Sequence, residues 1–253
     1  MAKDKSWEKI LADYDVLNND FSKSPFFISA DQIKKSVQDF KLTSEKEVRI
    51  LCKMDNIEDM PLIMSKNNLF LLPVKNGEYA IIKGQGFVEI PEIKGKAEDY
   101  IKKTDFDLVT SKIGNSEMQH LDFAYASSLI RTFMEDDSLL LTIRGRKYTP
   151  KFNFNVGKNK LEVESVQTEV DAGYEGRNKI VLIEAKNSKT KNTIIRQLYY
   201  PYRQWSEHTS KEVFLLFFEK RGEEYLIWQY KFEDKMNYNS IKLVKAKKFK
   251  IVE

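Results

Sequence analysis

An apolar segment that ends abruptly in charged residues, 180–186, constrains the fold of this chain more than any other feature. Its first four residues are Ile, Val, Leu and Ile, a run typical of a central strand that is buried on both faces. Glu184 and Lys186 follow this run. Upstream, an alternating segment ends at Asp171, and glycines between the two segments favour a turn. We therefore predict two paired strands with both carboxylates near one end.

The tripeptide Glu-x-Lys is by itself uninformative in a chain with 32% charged residues. It occurs three times, beginning at Glu92, Glu184 and Glu233, and only the middle copy follows four consecutive apolar residues. Side chains alternate along a strand, so Glu184 and Lys186 point to the same face. A hairpin that carries a surface salt bridge is the alternative. The strand context and the second carboxylate favour a metal-dependent site.

The residue types at this end of the hairpin suit magnesium and a phosphodiester. Mg²⁺ commonly binds one or two protein carboxylates, together with water and substrate phosphate oxygens. We expect Asp171 and Glu184 to supply the carboxylates, with the backbone carbonyl of Ala185 as a further ligand. A bound metal activates water and neutralises charge on the phosphate. Lys186 would position or help to deprotonate that water. One metal or two would fit this spacing.

One acid followed by a downstream Glu-x-Lys resembles the motif of the PD-(D/E)XK nuclease superfamily, carried here by Asp171, Glu184, Ala185 and Lys186. Residues 194–205, IIRQLYYPYRQW, are similar to the helix that follows the motif in many members, where Gln197 would face the site. Residues 47–82 and 145–154 are similar to parts of a group of restriction enzymes. The proline that often precedes the first acid is Val170 here, and many members of the superfamily also lack it.

The resemblance implies both a fold and an activity. The fold would be α/β (α+β), with a central mixed β-sheet flanked by helices. The activity would be that of a type II restriction endonuclease, a magnesium-dependent endodeoxyribonuclease that cuts both strands of double-stranded DNA at a short sequence. Such enzymes usually act as homodimers, because two-fold protein symmetry matches a palindromic site. A cognate DNA methyltransferase would be encoded nearby.

The composition of the chain narrows the classes of protein to which it can belong. The chain has 253 residues, enough for one large domain or two smaller ones. Its apolar runs are all shorter than the roughly 20 residues that cross a membrane, and the segment MAKDKSWEKI lacks the apolar stretch of a signal peptide. Cys52 is the only cysteine, which excludes an intrachain disulfide and a cysteine zinc cluster. His120 and His208 are isolated in sequence, which argues against zinc catalysis. We expect a cytoplasmic protein without a membrane partner.

The charge is distributed unevenly along the chain. Residues 1–140 hold 19 basic and 24 acidic side chains, whereas residues 141–253 hold 23 basic and 14 acidic ones. The basic excess therefore lies in the half that carries the motif, as expected if this half binds phosphates. We predict a nuclease domain over residues 113–253. Residues 1–112 would form an N-terminal helical, winged-helix-like module for DNA recognition, or a small α+β packing unit.

Several local patterns predict individual elements of these two parts. Residues 6–18 and 29–37 suit helices, and Ser44 with Glu47 matches a capping box for a helix that runs to about Met54. Asn76-Gly77 between two apolar segments is a strong hairpin signal. Downstream, we predict one helix over residues 116–134, in which Glu117 and Asp122 are candidate site acids but better suited to a solvated face. Strands are expected at residues 139–143, 213–218 and 225–230.

Basic residues near the motif are candidates for DNA contact. Four of them are interleaved with aromatic residues in a segment predicted as a loop, and these are Arg144, Arg146, Lys147 and Lys151. Arginine can bind guanine with two hydrogen bonds in the major groove, whereas lysine mostly contacts phosphate. Three further basic residues follow the motif, and these are Lys189, Lys191 and Arg196. A solvated hairpin with its aromatic residues in the core is the alternative for the first group.

Two other functions stay open at this point. A repair or junction-resolving nuclease would keep the fold and recognise DNA structure instead of sequence. A non-catalytic DNA-binding regulator built on the N-terminal helices would leave the alignment of Asp171, Glu184 and Lys186 without a role. The recognition sequence, the cut position and the sensitivity to methylation depend on contacts in three dimensions, which side-chain identity does not specify.

Overall fold

The computed structural model of the protein describes residues 2–252. Its N-terminal module packs short helices against a three-stranded antiparallel sheet of order β1-β3-β2. Gly77 has φ of +76°, the left-handed conformation that the tight β2-β3 turn requires. The elements are α1 (Ala2–Asp13), β1 (Phe26–Ser29), α2 (Ala30–Ser36), α3 (Thr43–Lys46), α4 (Val48–Leu51), α5 (Leu62–Lys66), β2 (Leu69–Lys75) and β3 (Glu78–Lys83).

The predicted hairpin is confirmed, but the predicted capping box is at the wrong residue. The Ser29 hydroxyl accepts from the Gln32 N–H at 3.1 Å and the Gln32 side chain accepts from the Ser29 N–H at 2.8 Å, so the box begins α2. The expected helix from Ser44 to about Met54 is instead two short helices. Glu47 interrupts it with extended backbone, at φ −77° and ψ 113°.

The rest of the chain builds a seven-stranded mixed sheet flanked by helices, so the predicted α+β fold is confirmed. Its strand order is β5-β14-β13-β12-β10-β9-β6, with parallel pairs at β10/β12 and β14/β5. These strands are β5 (Glu98–Ile101), β6 (Leu140–Tyr148), β9 (Gln167–Glu175), β10 (Lys179–Lys186), β12 (Glu212–Arg221), β13 (Glu224–Phe232) and β14 (Ile241–Val252). Two short pairs lie outside the sheet, formed by β4 (Phe87–Glu89) with β11 (Asn192–Ile194) and by β7 (Phe152–Val156) with β8 (Asn159–Val163).

Helices bury both faces of this sheet. On one face, α6 (Glu117–Ala126) and α7 (Leu129–Met134) pack with Val181 and Ile183 of β10 in one core. On the other face, α8 (Arg196–His208) packs with Leu182 in a second core that continues into the N-terminal module. The predicted single helix over residues 116–134 is broken at Ser128, which has φ of +63°. The α8 segment joins two parallel strands, β10 and β12, as a crossover helix does.

The N-terminal module and the sheet are joined by strands and hydrogen bonds. β5 precedes residue 112, the predicted domain boundary, and it pairs with β14 at the sheet edge. The Glu164 N–H donates to the Val74 carbonyl at 3.1 Å, which links the module to the β8 hairpin. Among the helices of residues 2–252, none is long and apolar enough to cross a membrane.

Candidate active site

The motif residues meet where β9 and β10 stop pairing. The two strands are antiparallel, with Leu182 opposite Gly173 and Ile183 opposite Ala172. One step further along the ladder, β10 presents Glu184 where β9 presents Asp171. There the Ala185 N–H donates to the Oδ2 atom of Asp171 at 2.8 Å. The Asp171 carboxylate thus takes the place of a main-chain acceptor and is fixed within β9, at the point where its pairing with β10 ends.

A β-bulge sets the direction of Asp171. β6 pairs Ile143 with Gly173 and Gly145 with Val170, so one β6 residue faces two residues of β9, Asp171 and Ala172. Val170 is buried in the core beneath α8, whereas Ala172 is buried in the core beneath α6. Regular alternation would put these two residues on the same face. The bulge reverses the alternation at Asp171, as bulges beside active sites commonly do.

Glu184 and Lys186 form an ion pair within the site. The Lys186 Nζ donates to Glu184 Oε1 at 2.5 Å, and the two side chains are 22% and 10% exposed. Lys186 is in register with Glu219 of β12, which is completely buried. Glu219 Oε1 accepts from the Thr190 N–H at 2.8 Å and thereby holds the chain that follows β10. The strand end that carries the motif is therefore supported from both neighbouring strands.

Burial dominates the electrostatics of these groups. Burial raises the pKa of Glu184 to about 7, because the charge of Lys186 only partly offsets it and the charge of Asp171 raises it further. Burial also raises the pKa of Asp171, against the Ala185 N–H and Lys186, which lower it. Burial lowers the pKa of Lys186, but the negative charges of Glu184, Asp171 and Glu117 outweigh that effect and the pKa is raised. Lys186 is therefore an ammonium at neutral pH.

The motif opens into a cleft of about 900 Å³. Gln197, in the first turn of α8, also lines this cleft, and its Oε1 accepts from the Thr193 hydroxyl at 2.6 Å. Glu117, at the start of α6, lines it as well and accepts from the Asn187 N–H at 3.3 Å. The structure thus brings together all four predicted catalytic residues, Asp171, Glu184, Lys186 and Gln197, together with one acid that we had expected on a solvated helix face.

The predicted DNA-binding residues divide into two groups. Arg146 and Arg196 line the cleft, where Arg146 pairs with Glu169 at 3.2 Å and Arg196 lies 3.9 Å from Asp55. The other five predicted residues do not line the cleft, and these are Arg144, Lys147, Lys151, Lys189 and Lys191. Three of those are paired with acids, namely Arg144 with Asp122, Lys151 with Glu162 and Lys189 with Glu92.

Arg144, Arg146 and Lys147 precede the motif in sequence. The segment that carries them is not the loop that we predicted. Residues 145–148 continue β6, because their backbone pairs with residues 167–170 of β9. Phe152 and Phe154 are buried in the core, as the alternative interpretation of this segment held, whereas Tyr148 is 62% exposed. Arg146 is therefore presented by an edge strand beside the motif.

Sequence reasoning missed the contribution of the N-terminal module to the cleft. Seven of its residues line the cleft with the motif, and these are Lys3, Arg49, Ile50, Lys53, Asp55, Asn56 and Asp59. They are more than 100 positions from the motif in sequence. Local patterns cannot indicate such a juxtaposition, because it depends on how the module packs against α8 and β11. The charge of Asp55 reaches Glu184 and contributes to raising its pKa.

The residues at the motif fit a hard divalent cation. Within residues 2–252, the side chains include no cluster of three or more His, Cys, Asp and Glu that could hold a metal. Two carboxylates are nevertheless a common protein contribution to a Mg²⁺ site, because water and substrate phosphate supply the remaining ligands. The raised pKa of Glu184 and of Asp171 indicates two acids whose burial is not fully compensated. A cation between them would supply that compensation.

Comparison with protein families shows that the chain belongs to the family described as domain of unknown function (DUF6997), which matches residues 82–250. Residues 4–81 match a second domain of unknown function, DUF6996. The two matches meet within β3, between the N-terminal helices and the seven-stranded sheet. The search of curated proteins and the search of solved structures each gave no match.

The raised pKa of Glu184 makes a prediction about stability. Its pKa is about 7 in the folded protein and 4.5 as an ordinary glutamate, so between these values the folded state binds more protons than the unfolded state. Stability should therefore fall as the pH rises from about 5 to 8 in EDTA. Over the same range, the free energy of unfolding of the Glu184→Gln variant should fall by roughly 3 kcal/mol less than that of the wild type. Urea unfolding of both proteins at the two pH values would measure this difference.

Other buried acids, such as Glu219, titrate in both proteins and cancel in the comparison. Parallel loss of stability in the wild type and the Glu184→Gln variant would show that Glu184 is ionised at little cost in the folded protein.

Proposed function

We propose that this member of the DUF6997 family is a magnesium-dependent endodeoxyribonuclease of the PD-(D/E)XK superfamily, acting as a type II restriction endonuclease on double-stranded DNA. One observation carries the proposal. Asp171, fixed by the Ala185 N–H, and the largely buried Glu184–Lys186 pair lie in one cleft where the pairing of β9 with β10 ends. The helix α8, which follows the motif and brings Gln197 into that cleft, is a further point of support.

Asp171 and Glu184 would hold the Mg²⁺, with the backbone carbonyl of Ala185, which lies between Glu184 and Lys186 in sequence, as a further ligand. When bound, the metal would activate water and neutralise charge on the scissile phosphate. Asp171 keeps one oxygen for this role, because its hydrogen bond from Ala185 uses Oδ2. Ionisation of Glu184 near neutral pH makes its carboxylate available to a cation in the same range.

Lys186 acts in this proposal as an ammonium. Its raised pKa excludes a large population of the free amine at neutral pH, so it orients the attacking water and stabilises negative charge on the phosphate. The pairing with Glu184 at 2.5 Å holds the ammonium beside the carboxylates. Gln197 would orient water or phosphate oxygens from α8, since its amide nitrogen stays available while its oxygen accepts from Thr193.

Two arginines of the cleft support a nucleic-acid substrate, and the superfamily resemblance implies that it is double-stranded DNA. Arg146 and Arg196 line the cleft on either side of the motif in sequence, and both can bind phosphate oxygens. Recognition of a short palindrome by a homodimer, and pairing with a methyltransferase, come from the superfamily resemblance. Incubation of the purified protein with plasmid DNA and Mg²⁺, followed by sequencing of the fragment ends, separates this function from a structure-specific nuclease, which would give no common end sequence.

Replacement of the motif residues should abolish cleavage. We expect Asp171→Asn, Glu184→Gln and Lys186→Met each to lower the rate of plasmid cleavage by about 100-fold or more, because each removes charge stabilisation in the transition state. DNA binding in EDTA should change less than threefold in the Lys186 variant. Gel assays of cleavage and fluorescence anisotropy of a labelled duplex measure the two effects separately.

Lys179→Met is a matched control for Lys186→Met. Lys179 begins the same strand that Lys186 ends, and it also pairs with an acid, Asp136, at 3.6 Å. Its variant should therefore cleave at close to the wild-type rate. Equal loss in both variants would point to damage to the strand and not to the chemistry. Normal cleavage by Asp171→Asn or Lys186→Met would overturn the mechanism.

The two groups of predicted DNA-binding residues should behave differently. Arg146→Ala and Arg196→Ala should each weaken duplex binding by about 3- to 30-fold at 0.1 M salt, because each removes a phosphate contact within the cleft. Lys151→Ala and Lys189→Ala should change binding less than twofold, since both side chains lie outside it. Anisotropy titrations across a range of salt concentrations provide the measurement. Equal effects in the two groups would contradict the assignment of the cleft as the DNA site.

A further inference from the structure

The cleft has a wall that belongs to the N-terminal module. We propose that this basic wall, made of Arg49, Lys53 and Lys3, binds the phosphate backbone of the DNA strand that reaches Asp171 and Glu184. The inference rests on the proposed nuclease function and gives the module a direct part in holding the substrate. The inference depends on placement, since the three residues of the basic wall line the same cleft as Asp171 and Glu184.

Arg49 is the residue of the basic wall that most clearly lacks another role. It lies exposed in α4, and no ion pair or hydrogen bond engages its side chain among the residues that the structure describes. The neighbouring Ile50 also lines the cleft, so this turn of helix faces the site. A guanidinium free of protein partners has all its donors available to phosphate oxygens.

Lys53 and Lys3 are linked to each other. The Lys3 ammonium donates to the carbonyl of Lys53, which fixes the backbone at that point. The Lys53 side chain is 71% exposed and lies 3.5 Å from Asp55. Because the Lys53 ammonium is mostly exposed to solvent, this pairing is weak and a phosphate can replace the carboxylate as its partner. The flexible lysine can thus follow a DNA backbone while Lys3 anchors its main chain.

The wall is held in place relative to the catalytic residues. The Ile194 N–H donates to the Asp55 carbonyl at 2.8 Å, and the Asn192 Oδ1 accepts from the Ile57 N–H at 2.7 Å. Asn192 is buried and also donates to Glu58 at 3.1 Å. These bonds tie residues 55–58 to β11, which directly precedes α8 and Arg196. The basic wall and the motif therefore form one preorganised surface instead of two independently moving parts.

The position of the wall favours a phosphate backbone over base edges as its contact. Phosphate contacts fix the register of DNA on a protein, and they come mainly from arginine and lysine. Arg49 in α4 and Lys53, two residues after the end of that helix, line the same cleft, so both can contact one DNA strand. A strand held there would pass the cleft that contains Lys186.

The full-length Arg49→Ala/Lys53→Ala double variant tests the inference. Its binding to a labelled 20-base-pair duplex in EDTA should weaken by about tenfold or more at 0.1 M salt. The slope of log affinity against log salt should become shallower by about 2, because two phosphate contacts are lost. At limiting protein concentration, the rate of DNA cleavage in Mg²⁺ should fall together with the affinity of this variant for the duplex. The Arg49→Lys/Lys53→Arg variant should restore binding to within about threefold of the wild type.

Lys34→Ala/Lys35→Ala is the matched control, because it removes two exposed cations of the same module, from α2, that lie outside the cleft-lining set. It should bind and cleave like the wild type. Wild-type binding by Arg49→Ala/Lys53→Ala, or equal weakening in both double variants, would overturn the inference while leaving the nuclease proposal standing. Absence of binding and cleavage in the wild type would instead overturn the nuclease proposal, and the inference with it.

Discussion

The hydrogen bond from the Ala185 N–H to the Asp171 carboxylate, at 2.8 Å, is the contact on which the rest of the site depends. It forms where the ladder between β9 and β10 ends, and it can form because a bulge against β6 turns Asp171 toward the side of Glu184. A buried backbone donor at that point needs an acceptor. The carboxylate supplies one and is thereby fixed beside a second acid, which brings two like charges together at the end of a buried strand.

Such a concentration of negative charge is costly, and the fold compensates it only in part. Lys186 neutralises one charge through its pairing with Glu184, while burial still raises the pKa of both acids. Uncompensated buried acids with perturbed pKa, opening into a cleft with basic side chains, are typical of functional sites. The proposed cation would balance the two acids, and the proposed substrate would balance the basic side chains.

Much of this site could be predicted from local sequence, and part of it could not. The run before Glu184 predicted a central strand because uninterrupted apolar residues need burial on both faces, and β10 is such a strand. The bulge at Asp171 left no sequence signal, since it depends on the register of β6. Arg144 and Lys151 were grouped with Arg146 by proximity in sequence, but their acid partners lie on separate elements. Arg49 could not be connected with the motif at all, because packing of the N-terminal module alone brings it there.

Calorimetric titration of Mg²⁺ into the protein at pH 7, in two buffers of different ionisation enthalpy, tests the central claim most directly. Metal ligands must be deprotonated, so binding at a site with a pKa of about 7 releases protons. We predict saturable binding that is lost in the Asp171→Asn and Glu184→Gln variants, with a heat that differs between the two buffers. Binding that survives in both variants, or no binding in the presence or absence of duplex DNA, would contradict a magnesium site at Asp171 and Glu184.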